Sequence, residues 1–251
     1  MPARYRKPPI TEAIIGIRLA QPLEKVEIES IQAEFHNSHP NIEERLNVVF
    51  KAQPGASSVI EQFDGFNLRN TDALRSLVVG AREFSSTCLA PYPGWNVFFA
   101  DAISNYRRFR HVLGYRQLDR VGVRFINRID IPHVHPTQEI MLSDYFTISP
   151  NNLTINTANP DLKYSEYFIS MHINYDLPIR VMLQTGLTPS ALVDHRAVML
   201  DIDASVMGAP MVPQNEAALE ELLTRLRTAK LDIFERSITN TTRQLFEPES
   251  T

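Results

Sequence analysis

Cysteine, glycine, tryptophan and long apolar runs are all scarce in this 251-residue chain. The single cysteine, Cys88, leaves no internal disulfide. A disulfide-stapled scaffold is excluded, and a reducing cytoplasm is the expected compartment. The nine glycines form neither G-x-G-x-x-G nor a Walker loop, against a dinucleotide-binding or P-loop domain. No run of about 18 apolar residues exists, so no helix is expected to cross a membrane. The opening MPARYRKPPITEA is charged without an apolar stretch and does not read as a signal peptide.

What remains is ordinary globular composition, 43% hydrophobic and 22% charged, enough to bury a sizeable core. Net charge is −4, unevenly spread. From Ser104 to Arg128 there are seven arginines and one acid, Asp119. That segment carries +6 and leaves −10 for the rest of the chain. Such asymmetry marks either an anion-binding face or arginines that pair with acids elsewhere in the fold.

Residues 13 to 19, AIIGIRL, read as a buried strand after the extended Pro8-Pro9. Leu23, Val26, Ile31 and Phe35 place a helix over 23–37. Strand-like runs follow at 45–52, 58–68, 74–80 and 83–90, with turns expected at Asp64-Gly65 and Gly80-Ala81. Trp95, Phe98, Phe99, Ala102, Tyr106, Phe109 and Leu113 then recur at helical spacing, closed by Gly114. This stripe makes a buried Trp95 the expectation.

The second part repeats the plan. A strand is expected at 119–131, a short helical or irregular piece at 137–147, and strands at 163–175, 178–187 and 194–204. A last helix over 215–241, capped by Asn215, spans on the order of 40 Å. Its apolar side is Leu219, Leu222, Leu223, Leu226, Ile233 and Phe234. The tail EPEST is expected to fray. The expected fold class is α+β, with antiparallel sheet packed against long amphipathic helices. No Pro/Gly/Ser linker interrupts the chain. It reads as one domain over 1–251, with a possible pseudo-repeat of β-α-β(n)-α halves at 1–115 and 116–245.

The stretch RVGVRFINRIDIP, residues 120 to 132, holds the main question. Alternation puts Arg120, Gly122, Arg124, Ile126, Arg128 and Asp130 on one face. Val121, Val123, Phe125, Asn127 and Ile129 take the other, as the core face. A buried Asn127 must find partners, at a cost of about 1–3 kcal/mol otherwise, and a loop or helix end is the expected one. Arginines four apart stand about 13 Å from each other, too far to clamp one phosphate. They suit a row of salt bridges or an extended anion. In AVMLDIDAS, Asp201 and Asp203 share a face, and a ladder of Arg124 and Arg128 with these two aspartates is the leading structural reading.

The candidate binding residues are therefore Arg107, Arg110, Arg120, Arg124, Asn127 and Arg128, with Asp201 and Asp203 as candidate ion-pair partners. The D-x-D pair also occurs in metal-dependent phosphoryl transfer, with Glu12 as a possible third acid. His133 and His135 in PHVHP lack an evident third ligand. Cys88 shares no motif with a base and reads as a packed thiol. His195 beside Asp194 is too common a pairing to carry a role. No catalytic residue, metal or cofactor is assigned.

YRKPPITEAIIGIRL, YPGW, RVGVRFINRIDIP, LDID and FERSIT together resemble a sporadically distributed family of prokaryotic proteins of roughly this length. The most specific parts are Pro8-Pro9-Ile10 with Glu12, and Arg120, Gly122, Arg124, Asn127 and Arg128. One departure is the neighbourhood AKLDIF in the last helix, where the family often carries a histidine. The resemblance implies a single full-length domain in a cytoplasmic prokaryotic protein and supplies no substrate. The expected function is a non-enzymatic binding or interaction protein, as a homo-oligomer or with a protein partner. The alternatives are a binder of nucleic acid or nucleotide anions through 104–128, and a metal-dependent hydrolase or phosphotransferase using Asp201 and Asp203.

Overall fold

The computed structural model describes residues 5–53, 56–133, 140–149 and 166–248. It is an α+β fold of nine strands and four helices among the described residues. The strands are β1 (Ile10–Leu19), β2 (Asn41–Gln53), β3 (Ala56–Arg69), β4 (Arg75–Gly80), β5 (Glu83–Leu89), β6 (Leu118–Pro132), β7 (Phe168–Asp176), β8 (Ile179–Thr188) and β9 (His195–Met207). The helices are α1 (Lys25–Phe35), α2 (Trp95–Leu113), α3 (Glu216–Ser237) and α4 (Asn240–Leu245). The strands form one sheet in the order β2-β3-β4-β5-β1-β6-β9-β8-β7. The pairings β2–β3, β3–β4, β4–β5, β7–β8 and β8–β9 are antiparallel.

Contacts divide the chain into two compact units that interleave in sequence. One comprises residues 1–13, 123–205 and 223–251; the other comprises 14–122 and 206–222.

In the second unit α1 starts where Glu24 caps it: the Glu24 amide donates to the Glu27 carboxylate at 2.9 Å, half of a capping box. Leu23 and Ile28 flank this cap, and both are buried, as in a hydrophobic staple. The buried stripe is Ile28, Ile31 and Phe35. Val26, expected on it, is 66% exposed, because the helix begins only at Lys25 and the 3.6-residue period then aligns 28, 31 and 35. On α2, Phe98, Ala102, Ile103 and Phe109 are buried, and Phe109 lies 4.5 Å from Phe84 of β5. Trp95 is not fully buried as expected. It opens the first turn, half-exposed and stacked at 5.2 Å on Phe99. Asp64-Gly65 makes no turn. Both residues lie inside β3, where the register slips between Arg45 and Leu46 and leaves Asp64 as the extra residue of a bulge. Gly65 has φ 134°, and a Cβ there would sit 1.9 Å from the Val79 carbonyl oxygen, so only glycine fits.

In the first unit α3 covers one sheet face with Leu223, Leu226, Ala229, Ile233 and Phe234, all buried. Asn215 does cap α3, its Oδ1 accepting from the Ala218 amide at 2.9 Å. The helix stops at Ser237 rather than near 241. There the backbone turns to pair with 145–147: the Thr147 amide donates to Ser237 O at 3.0 Å and the Thr239 amide to Tyr145 O at 2.9 Å. The expected helical piece at 137–147 is only a 3₁₀ turn at Leu142–Asp144 among its described residues. The start of EPEST is tied down: the Arg6 amide donates to Glu247 O at 3.1 Å, and Tyr5 bridges Pro248.

Candidate functional site

The alternation of β6 folds as its sequence dictates. Val121, Val123, Phe125, Asn127, Ile129 and Ile131 are buried, while Arg124, Ile126, Arg128 and Asp130 are half-exposed on the other face. Directly opposed residues of an antiparallel pair share a face. The register pairs Asp201 with Gln184 and Asp203 with Met182, and these with Ser170 and His172. In the first unit, Arg124, Asp201, Asp203, Gln184, Ser170 and His172, with Met182 among them, therefore line the sheet face opposite the apolar one.

Arg124 and Asp201 form the centre of this face. Arg124 Nε donates to Asp201 Oδ1 at 2.9 Å, and its terminal nitrogen donates to Oδ2 at 2.5 Å. The fork matches the carboxylate, which is the strong bidentate geometry. Asp201 is only 2% exposed, so the arginine supplies what water cannot. Arg124 is held above the usual guanidinium range chiefly by this hydrogen bond, against burial, with Asp203 and Glu12 adding to the negative field. Half of the expected ladder is thus present.

The other half is not. Arg128 Nε donates to Asp130 Oδ2 at 3.1 Å, and Ser190 donates to the other Asp130 oxygen at 2.7 Å. Residues two apart on one strand face stand about 7 Å apart, so Arg128 finds its acid on its own strand and not at Asp203. Asn127, 1% exposed, donates from Nδ2 to Leu200 O at 2.9 Å. Its partner is a strand carbonyl of β9, not the loop or helix end expected.

Three of the remaining arginines of the basic segment also meet acids. Arg107 bonds Glu216 at 2.5 Å and Glu220 at 3.0 Å. Arg108 bonds Glu34 at 2.9 Å and lies 4.2 Å over the Phe35 ring. Arg116 reaches Glu27 at 2.5 Å. Asp119, the lone acid of the segment, takes Arg18 at 2.6 Å. Arg110 sits 6.0 Å from the Tyr106 ring. The Arg120 guanidinium folds over Gly122, where a Cβ would stand 2.7 Å from it. Five of the seven arginines of the segment, Arg107, Arg108, Arg116, Arg124 and Arg128, are therefore met by close counter-charges, which shortens the reach of its field.

Among the described residues no group of three or more His, Cys, Asp or Glu side chains is placed to hold a metal ion. His135 lies outside the described residues. The His133 amide donates to Asp194 O at 3.0 Å, and His195 Nδ1 lies 2.7 Å from Val193 O. Cys88 is buried, and burial pushes its thiol above the usual range, which disfavours a thiolate.

Two polar groups of the first unit were missed from sequence. Lys230 of α3 is 3% exposed, with Nζ 3.8 Å from the centre of the Phe125 ring. Burial lowers it from 10.5 to about 7, with Arg227 acting in the same direction and Glu235 against. The signal was present: position 230 is four residues from both Leu226 and Phe234, on the apolar stripe. Tyr5 donates to both oxygens of Glu235, at 2.8 and 3.0 Å, and Arg243 Nε reaches the same carboxylate at 3.0 Å. Their separation of 230 residues gave no signal.

Against known proteins, the chain matches no family model and no curated protein.

Proposed function

We propose that this chain is a non-enzymatic binding protein that works as a homo-oligomer, joined through the edge of its sheet at the β2–β3 hairpin. The carrying observation is the chemistry of that edge. β2 ends the strand order and runs for 13 residues. Leu46 and Val48 of β2 are each 50% exposed, and Val59 and Ile60 of β3 are 60% and 42% exposed. Long edge strands invite pairing and are normally blunted by charge, proline or a covering element. Here the charged pairs Glu43–Arg69 and Arg45–Asp64 sit at the start of β2, and beyond them the exposed Leu46, Val48, Val59 and Ile60 have Glu61, opposite Val48, beside them. A second copy is the natural occupant, because antiparallel pairing of a strand with itself closes a twofold dimer.

The arginine pairing supports this reading over an anion binder. The bidentate engagement of Asp201 supports it over a D-x-D metal site, since a carboxylate saturated by a guanidinium is a poor free ligand. Light scattering on the purified protein tests the proposal. The expected mass is about twice the 28.6 kDa of one chain, falling to one chain in Leu46→Lys/Val48→Lys. A wild-type protein that stays at one chain mass across micromolar concentrations refutes it.

A further inference from the structure

A cavity of about 210 Å³ opens in the second unit, between the end of α1, strands β4 and β5, and helix α2. We infer that this cavity is a binding site for a neutral polyhydroxylated molecule of single-ring size, such as a monosaccharide or a cyclic polyol. The inference is independent of the β2–β3 edge.

The sequence behind the cavity is unusual for a core. β5 reads EFSSTCL, and Ser85, Ser86 and Thr87 are all buried. Consecutive hydroxyls in a buried strand cost stability unless they are used. Ser86 and Thr87 line the cavity. Ser86 Oγ accepts from Asn105 Nδ2 of α2 at 3.4 Å, a long bond with room to exchange.

The electrostatics select the ligand class. Arg75 and Asp101 both line the cavity, with Arg75 Nη1 3.0 Å from Asp101 Oδ2. Their charges cancel. His39, also on the wall, is buried, and burial followed by the Arg108 charge lowers its pKa, so it is neutral at pH 7. The lining thus carries no net charge. A bare phosphate or carboxylate would gain Arg75 only by facing Asp101. A neutral polyol meets both groups without penalty, donating to the carboxylate and accepting from the guanidinium.

The hydrogen-bonding capacity is open as well. Arg75 Nη1 is buried, yet its N–H groups make no hydrogen bond of acceptable geometry despite the nearby carboxylate. A buried donor left in that state costs stability, and a ligand oxygen in the cavity would satisfy it. The lining combines a guanidinium, a carboxylate, two carboxamides (Asn70 and Asn105) and serine hydroxyls. It presents donors and acceptors side by side, as vicinal hydroxyls require. Size sets the upper limit. Drug-sized ligands occupy roughly 300–1,000 Å³, so this cavity takes one ring. At about 30 Å³ per water it holds on the order of seven waters, which a ring of hydroxyls would replace group for group.

The test uses the full chain with free monosaccharides (glucose, galactose, mannose, ribose), myo-inositol, inorganic phosphate and acetate as probes. Binding is read by saturation-transfer NMR and by the imidazole proton shifts of His39. At least one neutral sugar or inositol is expected to bind and to move the His39 resonances. Asn105→Ala and Ser86→Ala, checked for native circular dichroism, are each expected to weaken it tenfold or more. The His39 shifts in the wild type report the site even if a variant fails to fold. Phosphate or acetate binding in place of every neutral probe overturns the inference. So does no binding by any neutral probe at tens of millimolar, or sugar binding that leaves His39 unmoved and both variants unaffected.

Discussion

Replacing Lys230 with methionine should stabilise the protein, and the gain should depend on pH in a defined way. The side chain is 3% exposed and faces the rings of Phe125 at 3.8 Å and Phe234 at 5.7 Å. Burial lowers its pKa from 10.5 in the unfolded chain to about 7. At 1.36 kcal/mol per pH unit that gap corresponds to a cost of about 5 kcal/mol for keeping the ammonium charged in the fold. The aromatic faces return about 1–2 kcal/mol to the charged form, leaving roughly 3 kcal/mol. The sign follows from proton counting. Above the unfolded value both states are neutral, so no cost remains. As pH falls from 10.5 to about 7 the unfolded chain binds the proton first, stability drops, and below the folded value the full cost applies. Methionine keeps the length and apolar stem without the charge. Urea unfolding of both proteins at several pH values between about 6 and 10.5 reads the difference, in which other titrating groups cancel. Lys230→Met should be more stable by about 3 kcal/mol near pH 6, with the margin shrinking through the alkaline window. A margin constant with pH, or a wild type more stable at pH 6, refutes the reasoning and means a charged, satisfied ammonium.

The remaining predictions concern the sheet. Arg124→Ala should destabilise by about 2–4 kcal/mol because it strands the buried Asp201 carboxylate, whereas Asp201→Ala should cost less because water reaches the freed guanidinium. The double variant should lose less than the sum in thermal melts; additive losses would show that the pair is not coupled. Asn127→Leu should cost about 1–3 kcal/mol in urea unfolding by leaving the Leu200 carbonyl without its donor, and a neutral outcome would remove the polar role assigned to Asn127. Gly65→Ala should lower the melting temperature far more than Gly122→Ala: the first forces a Cβ onto the Val79 carbonyl at positive φ, the second only displaces the Arg120 side chain. Equal effects would contradict the bulge geometry.

Local steric rules made much of this fold legible from sequence. A strand alternates faces whatever its neighbours are, so the two sides of RVGVRFINRIDIP were readable before any partner was known. A helix stripe repeats every 3.6 residues, so the buried leucines of α3 and its Asn215 cap were readable too. The Arg124–Asp201 pair followed from two alternations and one guess of adjacency. Where the guess needed a distance it failed. Arg128 had acids at both Asp130 and Asp203, and only the folded geometry chose the nearer. The end of α3 at Ser237 was decided by 145–147 offering backbone partners that the chain some 90 residues later accepts. The hydroxyl run of β5 was the cavity's one local trace; its arginine, aspartate, histidine and serines come from four elements whose faces meet only when the sheet order is set. Propensity and period are properties of neighbours in the chain. Adjacency, burial and the choice among competing charges belong to residues far apart in it, and tertiary packing alone settles them.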